Sequence, residues 1–294
     1  MSRFNLIDFS VRCQPGILRV VLLLWLVAAA SSVWADLSIF PTRIVLEKNQ
    51  RAAQVELMNN GTEPETYRIN LVNRRMGESG EFIEIEKPGE GELFADPLLR
   101  YSPRQVQILP GSSQIVRILV RKPAELLVGE YRSHLQFDRL AQASGSSSIE
   151  SSLVADRKEI GVVITALVGA SIPVILRHGD TQASVSLSDL KIELPTKGAA
   201  DAPGPVLVLT MNRSGTRSVY GDLSATFTAQ NGATLEVAKV GGVAVYVPNA
   251  FRRVRLPLSM PKGMDLTGGT LKLVYKERAD AGSRVLAEAF LTLP

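Results

Sequence analysis

Nearly every apolar stretch in this chain is short and is ended by a turn signal, and almost none repeats with the 3.6-residue period of a helix. Ala53-Gln54-Val55-Glu56-Leu57 alternates apolar and polar, as a strand with one buried face must. Asn60-Gly61 follows it and supplies the positive φ that a tight connection needs. Further strands are expected at 37–40, 43–46, 67–72, 82–85, 104–108, 114–120 and 130–137, with Leu109-Pro110-Gly111-Ser112 as a turn. The polar stretch 76–91 reads as loop around the strand at 82–85, and the serine-rich 142–152 as loop throughout. A second set is expected at 183–193, 206–212, 223–229, 243–247, 252–258, 270–275 and 285–293. About seven short strands in each half predict an all-β fold of two tandem β-sandwiches and disfavour doubly wound α/β enzyme folds.

The apolar run 20–30 is too short to cross a bilayer. It follows Arg3, Arg12 and Arg19 and precedes Val33-Trp34-Ala35, so 1–35 is expected to be a Sec-type signal peptide cut after Ala35. Domains are then expected at 36–178 and 179–294, with no membrane insertion after cleavage. The one cysteine, Cys13, leaves with the leader, as do the three arginines and Asp8, which lowers the net charge from the +4 of the 294-residue chain. No Lys/Arg run survives, so nucleic acid is not an expected partner. Two histidines and no cysteine exclude a Cys/His zinc site and a cysteine nucleophile. His134 reads as a strand side chain satisfied by a neighbour, and His178 as a hinge residue. No serine sits in a nucleophile elbow and no phosphate-cradling glycine loop follows a strand, so neither an enzyme nor a cofactor is expected.

The segment 160–176 is the longest apolar strand candidate after the leader. Val162, Ile164, Ala166 and Val168 alternate with Val163, Thr165 and Leu167, so both faces are largely apolar. Two readings fit: a central strand covered on both sides, or a strand whose outer face awaits a partner by strand addition.

Five motifs in order resemble the PapD-like periplasmic pilus-assembly chaperones of the chaperone–usher family. They are Pro41-Thr42-Arg43-Ile44-Val45-Leu46; Tyr101-Ser102-Pro103-Arg104; Leu109-Pro110-Gly111 with Gln114-Ile115-Val116-Arg117-Ile118; Gly129-Glu130-Tyr131-Arg132-Ser133-His134-Leu135; and Gly169-Ala170-Ser171-Ile172-Pro173-Val174. The resemblance covers the first half; in the second it rests mainly on Asp265 before Gly268-Gly269. It implies two immunoglobulin-like domains in a boomerang arrangement and a non-catalytic periplasmic chaperone without cofactor. Its partners would be pilus (fimbrial) subunits and an outer-membrane usher, with self-association of the free protein left open. The chaperone would cap and fold each subunit by donating 160–176, inserting Val162, Ile164, Ala166 and Val168, or in the other phase Val163, Thr165 and Leu167.

The same resemblance assigns Arg43 to an Arg–Lys pair that holds the subunit's terminal carboxylate. The lysine position is Pro173 here, which has neither charge nor N–H. If 130–137 and 160–176 pair antiparallel, Arg132 comes near Pro173, which makes it the expected partner of Arg43, with Arg104 the next choice. Arg117, Glu130 and Asp265 match an interdomain salt-bridge group. The lack of paired cysteines, with Pro173 and the serine-rich loop, resembles the archaic branch. The competing reading is a secreted two-domain adhesion or ligand-binding module, whose loops should be aromatic-rich; aromatics are 6% of the chain.

Overall fold

Period-two burial builds two β-sandwiches in the computed structural model, which describes residues 37–141, 169–194, 204–261 and 266–294. In the first, β1 (Leu37–Phe40), β3 (Ala52–Asn59), β9 (Ser113–Val120) and β7 (Leu99–Ser102) form one sheet in the order β1-β3-β9-β7. The facing sheet has the order β2-β11-β10-β4-β8, from β2 (Ile44–Leu46), β11 (Gly169–His178), β10 (Gly129–Arg139), β4 (Glu65–Val72) and β8 (Gln105–Ile108). The β2–β11 pair is parallel; its neighbours in the sheet pair antiparallel. Alternate side chains enter the space between the sheets: Val55 and Leu57 from β3, Val116 and Ile118 from β9, Tyr67 and Ile69 from β4, Leu135 and Phe137 from β10. Burial of side chains this size stabilises by about 1.5–3 kcal/mol each, which suffices for a core without disulfides.

The second sandwich packs β12 (Ala183–Glu193), β13 (Val206–Gly215) and β16 (Phe251–Pro257) against a sheet ordered β15-β14-β17-β18. The latter comprises β15 (Thr234–Val245), β14 (Val219–Thr228), β17 (Thr270–Lys276) and β18 (Val285–Thr292). Leu207, Leu209 and Met211 face Leu223, Phe227, Leu271, Leu273 and Tyr275 in its core. The chain is therefore all-β with two tandem sandwiches. Between β11 and β12 it turns at Gly179, where φ is +71° and an added Cβ would lie 2.7 Å from the Val128 methyls. Both the backbone conformation and the close approach require glycine there.

Stretch 76–91, expected to be loop around one strand, instead takes part in a hairpin of β5 (Arg74–Met76) and β6 (Phe82–Glu84). This hairpin reaches the second domain. Asn249 Nδ2 donates to the Met76 carbonyl at 2.9 Å, and Arg253 N donates to the Glu78 carbonyl at 2.7 Å. Met76, Ile175, Ala244 and Tyr246 form a small apolar cluster at the junction, flanked by Val45 and Tyr220. Strand β7 was not expected, and β15 extends well ahead of its expected start at 243. Its missed portion contains Gly241-Gly242, where two residues oppose Asp222 in a bulge and the Gly242 N–H donates to Asp222 Oδ1.

The expected pairing of 130–137 with 160–176 is present where described: β10 runs antiparallel to β11. Ile172, Val174 and Leu176 face the first core, and Ile175 on the opposite face is fully buried against the interdomain cluster. In this part of the segment both faces are covered. Residues 160–168, and so Val162, Ile164, Ala166, Val168, Val163, Thr165 and Leu167, lie outside the described residues, as do the leader 1–35 and Asp265.

Candidate functional site

Strand β10 decides what faces the domain junction. Tyr131, Leu135 and Phe137 belong to the core, so Glu130, Arg132, His134 and Gln136 must point the other way. On most sandwiches that outer face meets water. Here Glu130 and His134 are each 3% exposed, because the β5–β6 hairpin and the second domain lie over them.

Arg132 and Arg43 converge on one tyrosine of the second domain. The Arg132 guanidinium carbon lies 4.2 Å from the centroid of the Tyr246 ring, and that of Arg43 lies 5.2 Å from it. Arg43 Nη1 also donates to Tyr246 Oη at 2.6 Å, and its guanidinium sits 4.4 Å from the Tyr220 ring centroid. Arg132 Nη2 donates to the Arg74 carbonyl at 3.0 Å. Cation–π contacts in a desolvated setting are worth about 2 kcal/mol. Two nitrogens remain unused: Arg43 Nη2 and Arg132 Nη1 are buried without a hydrogen-bond partner, as is Arg74 Nε. Burial lowers the Arg132 pKa, and the nearby Arg43 charge works in the same direction.

His134 lies beside this cationic cluster. Neither ring nitrogen has a hydrogen-bond partner, and the ring packs edge-on against Phe82 at 5.2 Å between centroids. Burial, together with the charges of Arg132, Arg74 and Arg43, pushes its pKa down to about 3. The imidazole is therefore neutral at pH 7. The satisfying neighbour expected from the sequence is a ring contact and not a hydrogen bond. Pro173 lies opposite His134 across the β10–β11 ladder, while Arg132 faces Ile175, one pleat along the same face.

Beside this cluster stands an ion-pair group. Glu130 and Arg177 are direct cross-strand partners, and Glu130 Oε2 accepts from Arg177 Nε at 2.9 Å and from the Ser218 N–H at 3.1 Å. The Ser218 hydroxyl donates to Glu130 Oε1, and Arg177 Nη1 donates to Glu47. Burial opposes the Arg177 charge, but Glu130 and Glu47 outweigh it and raise its pKa. Arg43, Glu47, Arg177, Ser218 and Tyr220 border a cleft of about 360 Å³ between the domains.

The structure corrects one expected member of that group. Arg117 does not meet Glu130: in β9 Val116 and Ile118 turn inward, so Arg117 is exposed on the outer side of the other sheet, opposite Gln54 and Ser102. Arg177 takes the position beside Glu130. Arg104 is likewise remote from the Arg43–Arg132 pair; it is exposed beside Tyr101, 5.1 Å from that ring centroid. Tyr246, Tyr220 and Ser218 escaped the sequence reading because they come from the second domain. Tyr220 in β14, Ser218 just before it and Tyr246 just after β15 carry no local signal of what the folded chain sets them against. Among the described residues no group of three or more His, Cys, Asp and Glu is placed to hold a metal ion.

No family model and no curated protein matches the chain. Solved structures do. The chain is similar to pilus chaperones. The YadV chaperone is 12% identical, with a TM-score of 0.44 and coverage of 88% of this chain and 100% of that one. A chain of the CsuC–CsuE chaperone–tip adhesion subunit pre-assembly complex from archaic Csu pili of Acinetobacter baumannii is 13% identical over 88% and 98%, at a TM-score of 0.43. A chain of the Salmonella enterica SafA pilin–SafB chaperone complex is 11% identical over 90% and 99%, at 0.40. At such identity the likeness is one of outline, and function rests on the residues of the site.

Proposed function

We propose that this chain is a non-catalytic periplasmic chaperone that caps pilus subunits by donating the segment 160–176 as a strand, then delivers them to an outer-membrane usher. The observation that carries the reading is the pair of half-buried guanidiniums, Arg43 and Arg132, each with one buried nitrogen that lacks an acceptor. A terminal carboxylate has lone pairs for both and gains charge-assisted bonds, which are roughly twice as strong as neutral ones. The pair lies on the outer face of the sheet that contains β11, whose chain is continuous with 160–168. A client strand laid along that segment would have its C-terminal carboxylate within reach of the cluster. Arg132 thereby takes the part of the missing lysine at Pro173. Val162, Ile164, Ala166 and Val168 supply the inserted side chains, and Glu130 with Arg177 and Ser218 holds the domains at a fixed angle.

The test is co-purification from periplasm with any small secreted protein encoded beside it, comparing wild type with Ile164→Asp. A stable one-to-one complex lost in the variant supports strand donation by this face. A complex that persists overturns it, and a neighbour that folds unaided and never binds removes the chaperone reading altogether.

A further inference from the structure

We infer that Tyr246 is a positioning residue of the carboxylate site, so that the second domain builds the site together with the first; this rests on the carboxylate-anchor reading proposed above. Long arginine side chains lose up to ~2 kcal/mol of rotamer freedom when fixed, and a site that leaves them loose recognises poorly. Tyr246 removes that freedom from both at once. Its hydroxyl accepts from Arg43 Nη1 at 2.6 Å, and its ring lies against the Arg132 guanidinium at 4.2 Å. Tyr220 backs Arg43 from the second domain at 4.4 Å, and Arg278 lies 6.0 Å from the Tyr220 ring centroid. The result is a run of alternating cations and rings, Arg278, Tyr220, Arg43, Tyr246 and Arg132, that crosses the domain boundary.

The arrangement also shows which guanidinium nitrogens lack an acceptor. Tyr246 uses Arg43 Nη1 and the Arg74 carbonyl uses Arg132 Nη2. Arg43 Nη2 and Arg132 Nη1 are left buried and without partners. A buried donor without an acceptor costs about 1–3 kcal/mol, so the pair favours a ligand that brings two acceptor oxygens and a negative charge. An amide brings one acceptor, two donors and no charge. Recognition of the terminal carboxylate of the reading above therefore requires the domains in contact, since neither sandwich alone contains both arginines and the ring between them.

The test uses the full chain after leader removal and an alternating valine–threonine peptide of about ten residues with lysines at its N-terminus. It is prepared with a free C-terminal carboxylate and with a C-terminal amide, and Kd is measured for both. Wild type should prefer the acid. Tyr246→Phe keeps the ring and should cut the acid-over-amide ratio by about tenfold with amide affinity unchanged, while Tyr246→Leu and Arg43→Ala should abolish the preference. A Tyr246→Phe protein that keeps the full ratio, or that loses acid and amide affinity equally, overturns the positioning role and leaves the Arg43–Arg132 anchor standing. A wild type that binds neither peptide, or both equally, overturns the anchor itself. Thermal melts of each variant report folding.

Discussion

Glu130 and Arg177 face each other across β10 and β11, and the second domain joins their ion pair through the backbone N–H and hydroxyl of Ser218. The Glu130 side chain is 1% exposed and that of Arg177 14%. A pair this deep constrains geometry more than it adds stability, but removal of one member strands the other. Glu130→Ala should therefore cost about 3–5 kcal/mol in urea denaturation. Arg117→Ala, on an exposed face, should stay within about 0.5 kcal/mol. Equal effects would mean that Arg117 shares the junction after all.

Acid should loosen the same region through His134. Its pKa is held at about 3 in the folded chain, below its ordinary value of 6.5. The unfolded chain thus binds this proton first, and stability must fall as pH drops from about 6.5 towards 3. His134→Gln should flatten that part of the profile, read as urea midpoints between pH 7 and 4. An unchanged slope would place the proton uptake on other groups.

Met76 fastens the β5–β6 hairpin to the second domain at 3% exposure, among Ile175, Ala244 and Tyr246. Met76→Asp buries a carboxylate among apolar neighbours, and the junction should open to hydrate it. Small-angle scattering should report a larger radius of gyration while circular dichroism keeps its β signature. An unchanged radius would mean the junction does not depend on this side chain.

Gly215 ends β13 with φ at +96°, and an added Cβ would sit 2.3 Å from the Gln182 carbonyl oxygen. Gly215→Ala should therefore lower stability by more than about 1 kcal/mol, measurable as a lower melting temperature. Gly232→Ala is the comparison: its φ is +83° with no atom near the new methyl, so its loss is conformational alone and should be smaller.

The sandwiches were legible because period-two alternation survives in nearly every strand; β9 shows it in Val116, Ile118 and Val120 against Ile115, Arg117 and Leu119. The pattern failed where glycine interrupts it. Gly241-Gly242 hid most of β15, and the Gly/Glu-rich flanks of 82–85 hid a hairpin. Arg132 was reachable because a hairpin fixes which residues are neighbours, and it arrives one pleat from its expected place beside Pro173. Arg177 and Arg117 could not be told apart in the same way. Each is a cation on an outer face, and which outer face is covered depends on residues of the second domain such as Ser218, 41 residues beyond Arg177. Tyr246 was hidden for the same reason.

The path of β11 has a mechanical consequence. It leads out of the segment 160–168 and, past Gly179, into the second domain, with β10 on one side and parallel β2 on the other. Tension along the axis of β11, applied at Gly169, is perpendicular to its ladder hydrogen bonds. It therefore loads these rungs in shear, all together, and does not peel them off in sequence. Force transmitted along β11 would meet a clamp that yields late and abruptly.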